Sequence, residues 1–181
     1  MVKQRKYLVV LAIFCLGMLL ATPARSLAQE ESRFFNVDFN YDFSSRKTVE
    51  SFLKISSQKA LFYLERSWYN NLTDGERLQV DSMIGELSSD FDNLIYPKLT
   101  AVFGNEWKPG IDNNEKITIL FHKLKENGAG YMRTQDEFSS IQAVGSNERE
   151  MIYINSQFLF QPIVKSLVAH EFVHLIEYNQ K

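Results

Sequence analysis

The sequence predicts an α+β domain, a mixed twisted sheet with one long helix and a second, buried helix at its C-terminal end. Three stretches carry that prediction. Ile117-Thr118-Ile119-Leu120-Phe121-His122 is a β-branched apolar run suited to the interior of a sheet. Leu78, Met83, Ile84, Leu87, Phe91, Leu94 and Ile95 recur at helical spacing between Gly75 and Phe103, with Pro97 breaking or kinking the helix. Ile163, Val164, Leu167, Val168, Phe172, Leu175 and Ile176 make a last helix apolar over much of its circumference, and Pro162 suits its first turn.

Residues 1–28 read as an export signal and stand apart from the fold. Lys3, Arg5 and Lys6 form a positive start, Tyr7 to Leu20 is uninterrupted apolar sequence, and Ser26-Leu27-Ala28 is a small-x-small cleavage site, with the cut expected after Ala28. The apolar run is shorter than the roughly 20 residues of a spanning helix, so the expectation is a secreted or periplasmic protein without a membrane anchor. Residues 29–50 read as an N-terminal strand or a pro-segment, because Phe35, Val37, Phe39, Tyr41 and Phe43 alternate with Asn36, Asp38, Asn40 and Asp42. Residues 51–181 then form the main domain. Ala60-Leu61-Phe62-Tyr63-Leu64-Glu65 looks like a second strand, with a helix as the alternative, Asn70-Asn71 and Asp74-Gly75 mark a turn, and Pro109-Gly110 with Asp112-Asn113-Asn114 makes a polar turn. Asn127-Gly128-Ala129-Gly130 reads as a loop, and Met151-Ile152-Tyr153-Ile154-Asn155 as a short strand at the sheet edge.

Charge narrows the partners. With residues 1–28 removed, 16 basic side chains face 22 acidic ones, a net charge of −6, and no cysteine remains. Acidity disfavours nucleic acid and anionic membranes, which reward positive fields. An exported domain without a disulfide must rely on core burial, with help from a metal or a partner.

The chemistry lies in His170-Glu171-Phe172-Val173-His174. Residues four apart stack on one helix face, so both imidazoles can aim a nitrogen at one ion, while Glu171, about 100° round from His170, is placed to act as general base on a metal-activated water. Without cysteine a structural zinc site is disfavoured, and a catalytic zinc with an open position is expected. The extended pattern H-E-x-x-H-x-x-G-x-x-H is excluded, because Glu177 and Gln180 occupy its glycine and histidine positions. Glu177 remains a candidate third ligand or a carboxylate orienting an imidazole, although three ligands from one straight helix converge poorly. Tyr153 and Tyr178 read as core aromatics before oxyanion donors, and His122 as a packed histidine. Asp112-Asn113-Asn114 resembles half a calcium loop but lacks its glycine and terminal glutamate.

The run Leu167 to Ile176, with Tyr178-Asn179-Gln180, resembles the active-site helix of hyicolysin-like zinc metallopeptidases of the gluzincin type. Upstream, Phe91 to Pro97, Phe103-Gly104, Asp112, Ile117 to Leu120, Gly130-Tyr131, Ser146-Asn147 and Glu150 to Asn155 are similar to the same enzymes in order. The resemblance implies a zincin-like N-terminal subdomain, with His170 and His174 as zinc ligands and Glu171 as catalytic base. It also implies a third ligand from a glutamate on a following helix, hence a missing C-terminal subdomain; Val173 departs from the glutamine of that position. The function so implied is hydrolysis of peptide or protein substrates by a secreted zinc endopeptidase. The rival expectation is a secreted pseudo-peptidase or binding domain that lacks the third ligand.

Overall fold

Strict alternation along the central strands decides which side chains meet the helices. A computed structural model describes residues 32–181; the signal-peptide segment lies outside the described residues. Strands β1 (Ser32–Asn36), β2 (Thr48–Ser56), β3 (Ala60–Glu65), β4 (Ile117–His122), β5 (Gly130–Met132) and β6 (Met151–Asn155) form one sheet in the order β1-β2-β3-β4-β6-β5. β3, β4 and β6 run parallel, and the other pairings are antiparallel. The fold is α+β with a mixed sheet.

Ala60, Phe62 and Leu64 of β3, Ile117, Ile119 and Phe121 of β4, and Ile152 and Ile154 of β6 share one core. Their alternates Tyr63, Leu120, Met151 and Tyr153 share another, as the two-residue period of a strand requires. Three helices cover the first face: α2 (Asp74–Asp90), α3 (Tyr96–Phe103) and α4 (Val164–Asn179), after a short α1 (Arg66–Asn70). A capping box starts α2, in which Thr73 Oγ1 accepts from the Glu76 N–H and Glu76 Oε2 accepts from the Thr73 N–H. A π-helical turn at Phe91–Ile95 joins α2 to α3. Pro97, in the first turn of α3, has no N–H to give to the turn before it, and the wide turn absorbs that gap. Residues 74–103 are therefore one continuous rod. Leu78 and Leu94, counted in its apolar stripe, are exposed.

Four expectations are corrected. β6 is not the sheet edge: it lies between β4 and β5, and the edges are β1 and β5. The alternating strand at 35–43 ends at Asn36, and beyond it the pattern inverts, with Phe39, Tyr41 and Phe43 half exposed and Asp42 fully buried. The cause is Asp42, whose Oδ1 accepts from the backbone N–H groups of Ser44 and Arg46 and which pairs with the Arg46 guanidinium at 2.8 Å; a turn built on a buried carboxylate overrides the strand period. Gly130 belongs to β5 and not to a loop. Finally, α4 buries one face only, and Ser166, His170, His174 and Glu177 lie exposed along the other.

β2 runs straight across residue 50, and its Val49 and Phe52 are core residues.

Candidate metal centre

The rotation of α4 about its axis is set by what it buries. Val168, Phe172, Leu175 and Ile176 are fully enclosed. The Phe172 ring stacks on Tyr96 with centroids 5.4 Å apart and meets Phe91 edge-on at 5.3 Å. At 100° per residue, anchoring Val168, Phe172 and Leu175 inward turns His170 and His174 outward together. Their Nε2 atoms stand 3.1 Å apart, with the rings nearly perpendicular.

Two ligating nitrogens on a tetrahedral ion with bonds of about 2.0–2.1 Å stand about 3.3 Å apart. The imidazole pair thus fits two corners of such a site, and its donor type suits zinc. Glu177 follows on the next turn and lines a shallow cavity of about 270 Å³ with Met132, Thr134, His174, Tyr178 and Lys181. It does not complete the set: among the described residues no three His, Cys, Asp or Glu side chains gather where one ion could be held.

Glu171 lies on the flank of the helix next to the pair, about 100° round from His170, and is 6% exposed. Its carboxylate makes no hydrogen bond or ion pair among the described residues. Burial pushes its pKa up from the ordinary carboxylate value, while the neighbouring His170 and His174 pull partly in the opposite sense. The carboxylate lies against the backbone of β5 at Gly130, where an added Cβ would stand 2.8 Å from Glu171 Cγ and 2.9 Å from the Tyr153 carbonyl oxygen. Only glycine lets the edge strand and the helix approach so closely. This residue was read as part of a loop; the small-residue run Gly128-Ala129-Gly130 was the available signal.

The C-terminal end of α4 is tied down separately. Asn179 Nδ2 donates to the Leu175 carbonyl oxygen and to Glu137 Oε2, and Gln180 Nε2 donates to the Asn105 carbonyl oxygen. The Gln180 side chain lies against Gly104, whose φ of 90° suits glycine alone.

The other sequence candidates lie elsewhere. Tyr153 is buried on the opposite face, its hydroxyl held by Asp136, Asn147 and Arg133. His122 is likewise enclosed there, with Nε2 3.1 Å from the Tyr131 hydroxyl and Nδ1 3.4 Å from Asp42. Both act as core residues. Asp112 folds back on its own turn, accepting from the Asn114 N–H, and lies 3.7 Å from Arg149.

No family model matches the chain. It is similar to a neutral metalloprotease of Staphylococcus hyicus, 26% identical over 116 residues, a match that covers 56% of this chain and 25% of that protein. The chain spans about a quarter of the length of the curated relative it matches. The likeness supports a relationship to a metalloprotease and nothing finer. Among the described residues no helix is long and apolar enough to cross a membrane.

Proposed function

We propose that this chain carries the zinc-binding helix and general base of an exported zinc endopeptidase, in a zincin-like subdomain. The observation that carries the proposal is the convergence of His170 and His174 Nε2 at 3.1 Å on the exposed face of α4, beside a buried carboxylate with no partner. Each histidine would hold the ion through that nitrogen, and the third protein ligand would come from outside the described residues. When bound, zinc would supply Lewis acidity, polarising a peptide carbonyl and making water acidic enough to lose a proton near neutrality.

Glu171 would take that proton. A carboxylate kept from other partners and raised by burial is better matched to proton transfer at neutral pH than an ordinary one. The edge strand β5, one side unpaired, would bind an extended peptide by backbone hydrogen bonds and lay it past Glu171. The relative's description as a metalloprotease supports the same reading.

The rival, a non-catalytic domain, draws on the missing third ligand among the described residues. Zinc stoichiometry and peptidase activity of the wild type, Glu171→Gln and His174→Ala separate the two. The proposal expects about one zinc in the wild type and in E171Q, activity lost in E171Q by about 10²–10⁴-fold, and zinc lost in H174A. Cleavage that survives E171Q, or a wild type that binds no zinc, contradicts it.

A further inference from the structure

β5 is an edge strand, and its pairing decides which of its groups face outward. The Asn155 N–H donates to the Ala129 carbonyl oxygen at 2.9 Å, next to the antiparallel pairs Gly130↔Ile154, Tyr131↔Tyr153 and Met132↔Ile152. Backbone groups in such a ladder point toward the partner strand and away from it by turns. Ala129 and Tyr131 therefore face β6, and the N–H and C=O groups of Gly130 and Met132 face outward, where a further strand can pair. Side chains alternate too. Gly130 and Met132 lie on the side of α4, Gly130 against Glu171 and Met132 against the helix-covered core, beside the cavity of about 270 Å³ that reaches His174 and Glu177. Tyr131 lies on the opposite side.

A side chain on an edge strand has a neighbouring strand on one flank only, yet Tyr131 is 6% exposed. One face of its ring is covered by Tyr153 of β6, with centroids 4.4 Å apart and planes within 5° of parallel. The other face is covered by Tyr41, 4.8 Å away at 14°. Because Tyr153 holds the inward face, Tyr41 stands on the outward one, at the spacing of one further strand. Backbone bonds fix it there. The Tyr41 carbonyl oxygen accepts from the Lys125 N–H, Asp42 bridges to Leu124, and the Phe43 N–H donates to the Lys123 carbonyl oxygen. Nearby, the Asp38 N–H donates to the Tyr131 hydroxyl. Tyr41 thus fills the place that a side chain of an added strand, opposite Tyr131, would take, and it is itself half exposed.

We propose that Tyr41 is a specificity-determining residue, which restricts the peptides that pair with β5 to those carrying glycine or alanine opposite Tyr131. Directly opposed residues of paired strands set their Cβ atoms about 4.5–5.5 Å apart on one face, so any side chain longer than a methyl group runs into the Tyr41 ring. The peptide residues on either side point to the α4 face, where the cavity beside Met132 and His174 leaves room for large side chains. The substrate class is therefore an extended peptide with a small residue next to the one that passes Gly130 and Glu171. This inference rests on the reading of β5 as the strand that binds substrate.

The probes are a fluorescently labelled peptide of large residues with a single central glycine, and its twin with leucine in that place. Binding is read by fluorescence polarisation on the whole chain carrying Glu171→Gln, which leaves the peptides intact, and cleavage by the wild type is read by mass spectrometry. E171Q should bind the leucine twin about 10–100-fold more weakly than the glycine twin. Adding Tyr41→Ala should bring the two affinities together, whereas adding Tyr41→Phe should keep the full difference, because the ring and not the hydroxyl excludes. Tyr41→Val repeats the comparison should Tyr41→Ala not fold. Equal binding of the twins by E171Q, binding of neither, or a difference that persists in folded Y41A overturns the proposal. Failure of the peptidase reading looks different: the twins are told apart in binding, yet the wild type cleaves neither. Equal cleavage of both twins by the wild type overturns the exclusion and leaves the peptidase reading standing.

Discussion

The two faces of the sheet both carry histidine, carboxylate and tyrosine, but only the helix-covered side sets a pair of histidines together on an exposed surface. On the face covered by the N-terminal segment, Arg46 bridges Asp42 and Glu65, His122 sits between Asp42 and Tyr131, and the Tyr153 hydroxyl meets Asp136 and Asn147. Tyr41, Tyr131 and Tyr153 stack in a row with centroids 4.8 and 4.4 Å apart. The helix-covered face is almost wholly apolar, and at its margin α4 carries His170 and His174 exposed, each the other's hydrogen-bond neighbour. A polar group whose bonding is complete within the fold contributes to stability, and one held rigid but unsatisfied is available for a ligand. On that difference the proposed zinc site takes the exposed pair His170 and His174, and His122 stays with the enclosed side chains of the other face.

The largest effect expected from breaking that division is on activity. Glu171→Gln leaves the fold and zinc content unchanged and lowers peptidase turnover by about 10²–10⁴-fold. Gly130→Ala comes next, because the new methyl group must displace the Glu171 carboxylate or the strand behind it; turnover should fall on the order of 10²-fold with zinc retained, as misplacement by about 1 Å costs. On the supporting core, Phe172→Ala should cost about 3–5 kcal/mol in denaturant melts and take zinc affinity down with it, since Phe172 sets the rotation of α4. On the opposite face Asp42→Ala should cost about 1.5–3 kcal/mol and leave zinc binding unaltered, because it removes one of the two carboxylates on Arg46 and the acceptor of the Ser44 and Arg46 N–H groups, away from the exposed histidines of α4.

The smallest effect concerns pH. Glu137 binds its proton more tightly folded than unfolded, so its contribution to stability is complete below about 4.5 and is lost as pH rises through about 8. Glu137→Gln should flatten the decline of Tm across that window. An unchanged slope would show that Glu137 does not titrate there.

The elements legible in the sequence were the bounded apolar runs and the long helical stripes, while the strict alternation at 35–43 misled. β3, β4 and β6 follow from short apolar runs rich in β-branched and aromatic residues, the helices over 74–103 and 164–179 from residue spacing, and the His170, Glu171 and His174 geometry from one helix turn. β2 was not read as a strand because a register shift between Leu53 and Ile55 breaks its alternation. β5 is three residues long, and only pairing with β6 makes it a strand. The edge was misplaced for the same reason, because nothing local in Met151–Asn155 says that β5 returns to cover it. Asp42 and Gly130 were opaque too, since a buried carboxylate and a close backbone approach are set by neighbours 80 and 41 residues away in the case of His122 and Glu171.

Zinc binding by equilibrium dialysis of the wild type, His122→Ala and His170→Ala/His174→Ala tests the division between the faces most directly. The account predicts about one zinc in the wild type and in H122A, and none in the double variant. Zinc retained by the double variant, or lost in H122A alone while the fold persists, would contradict it.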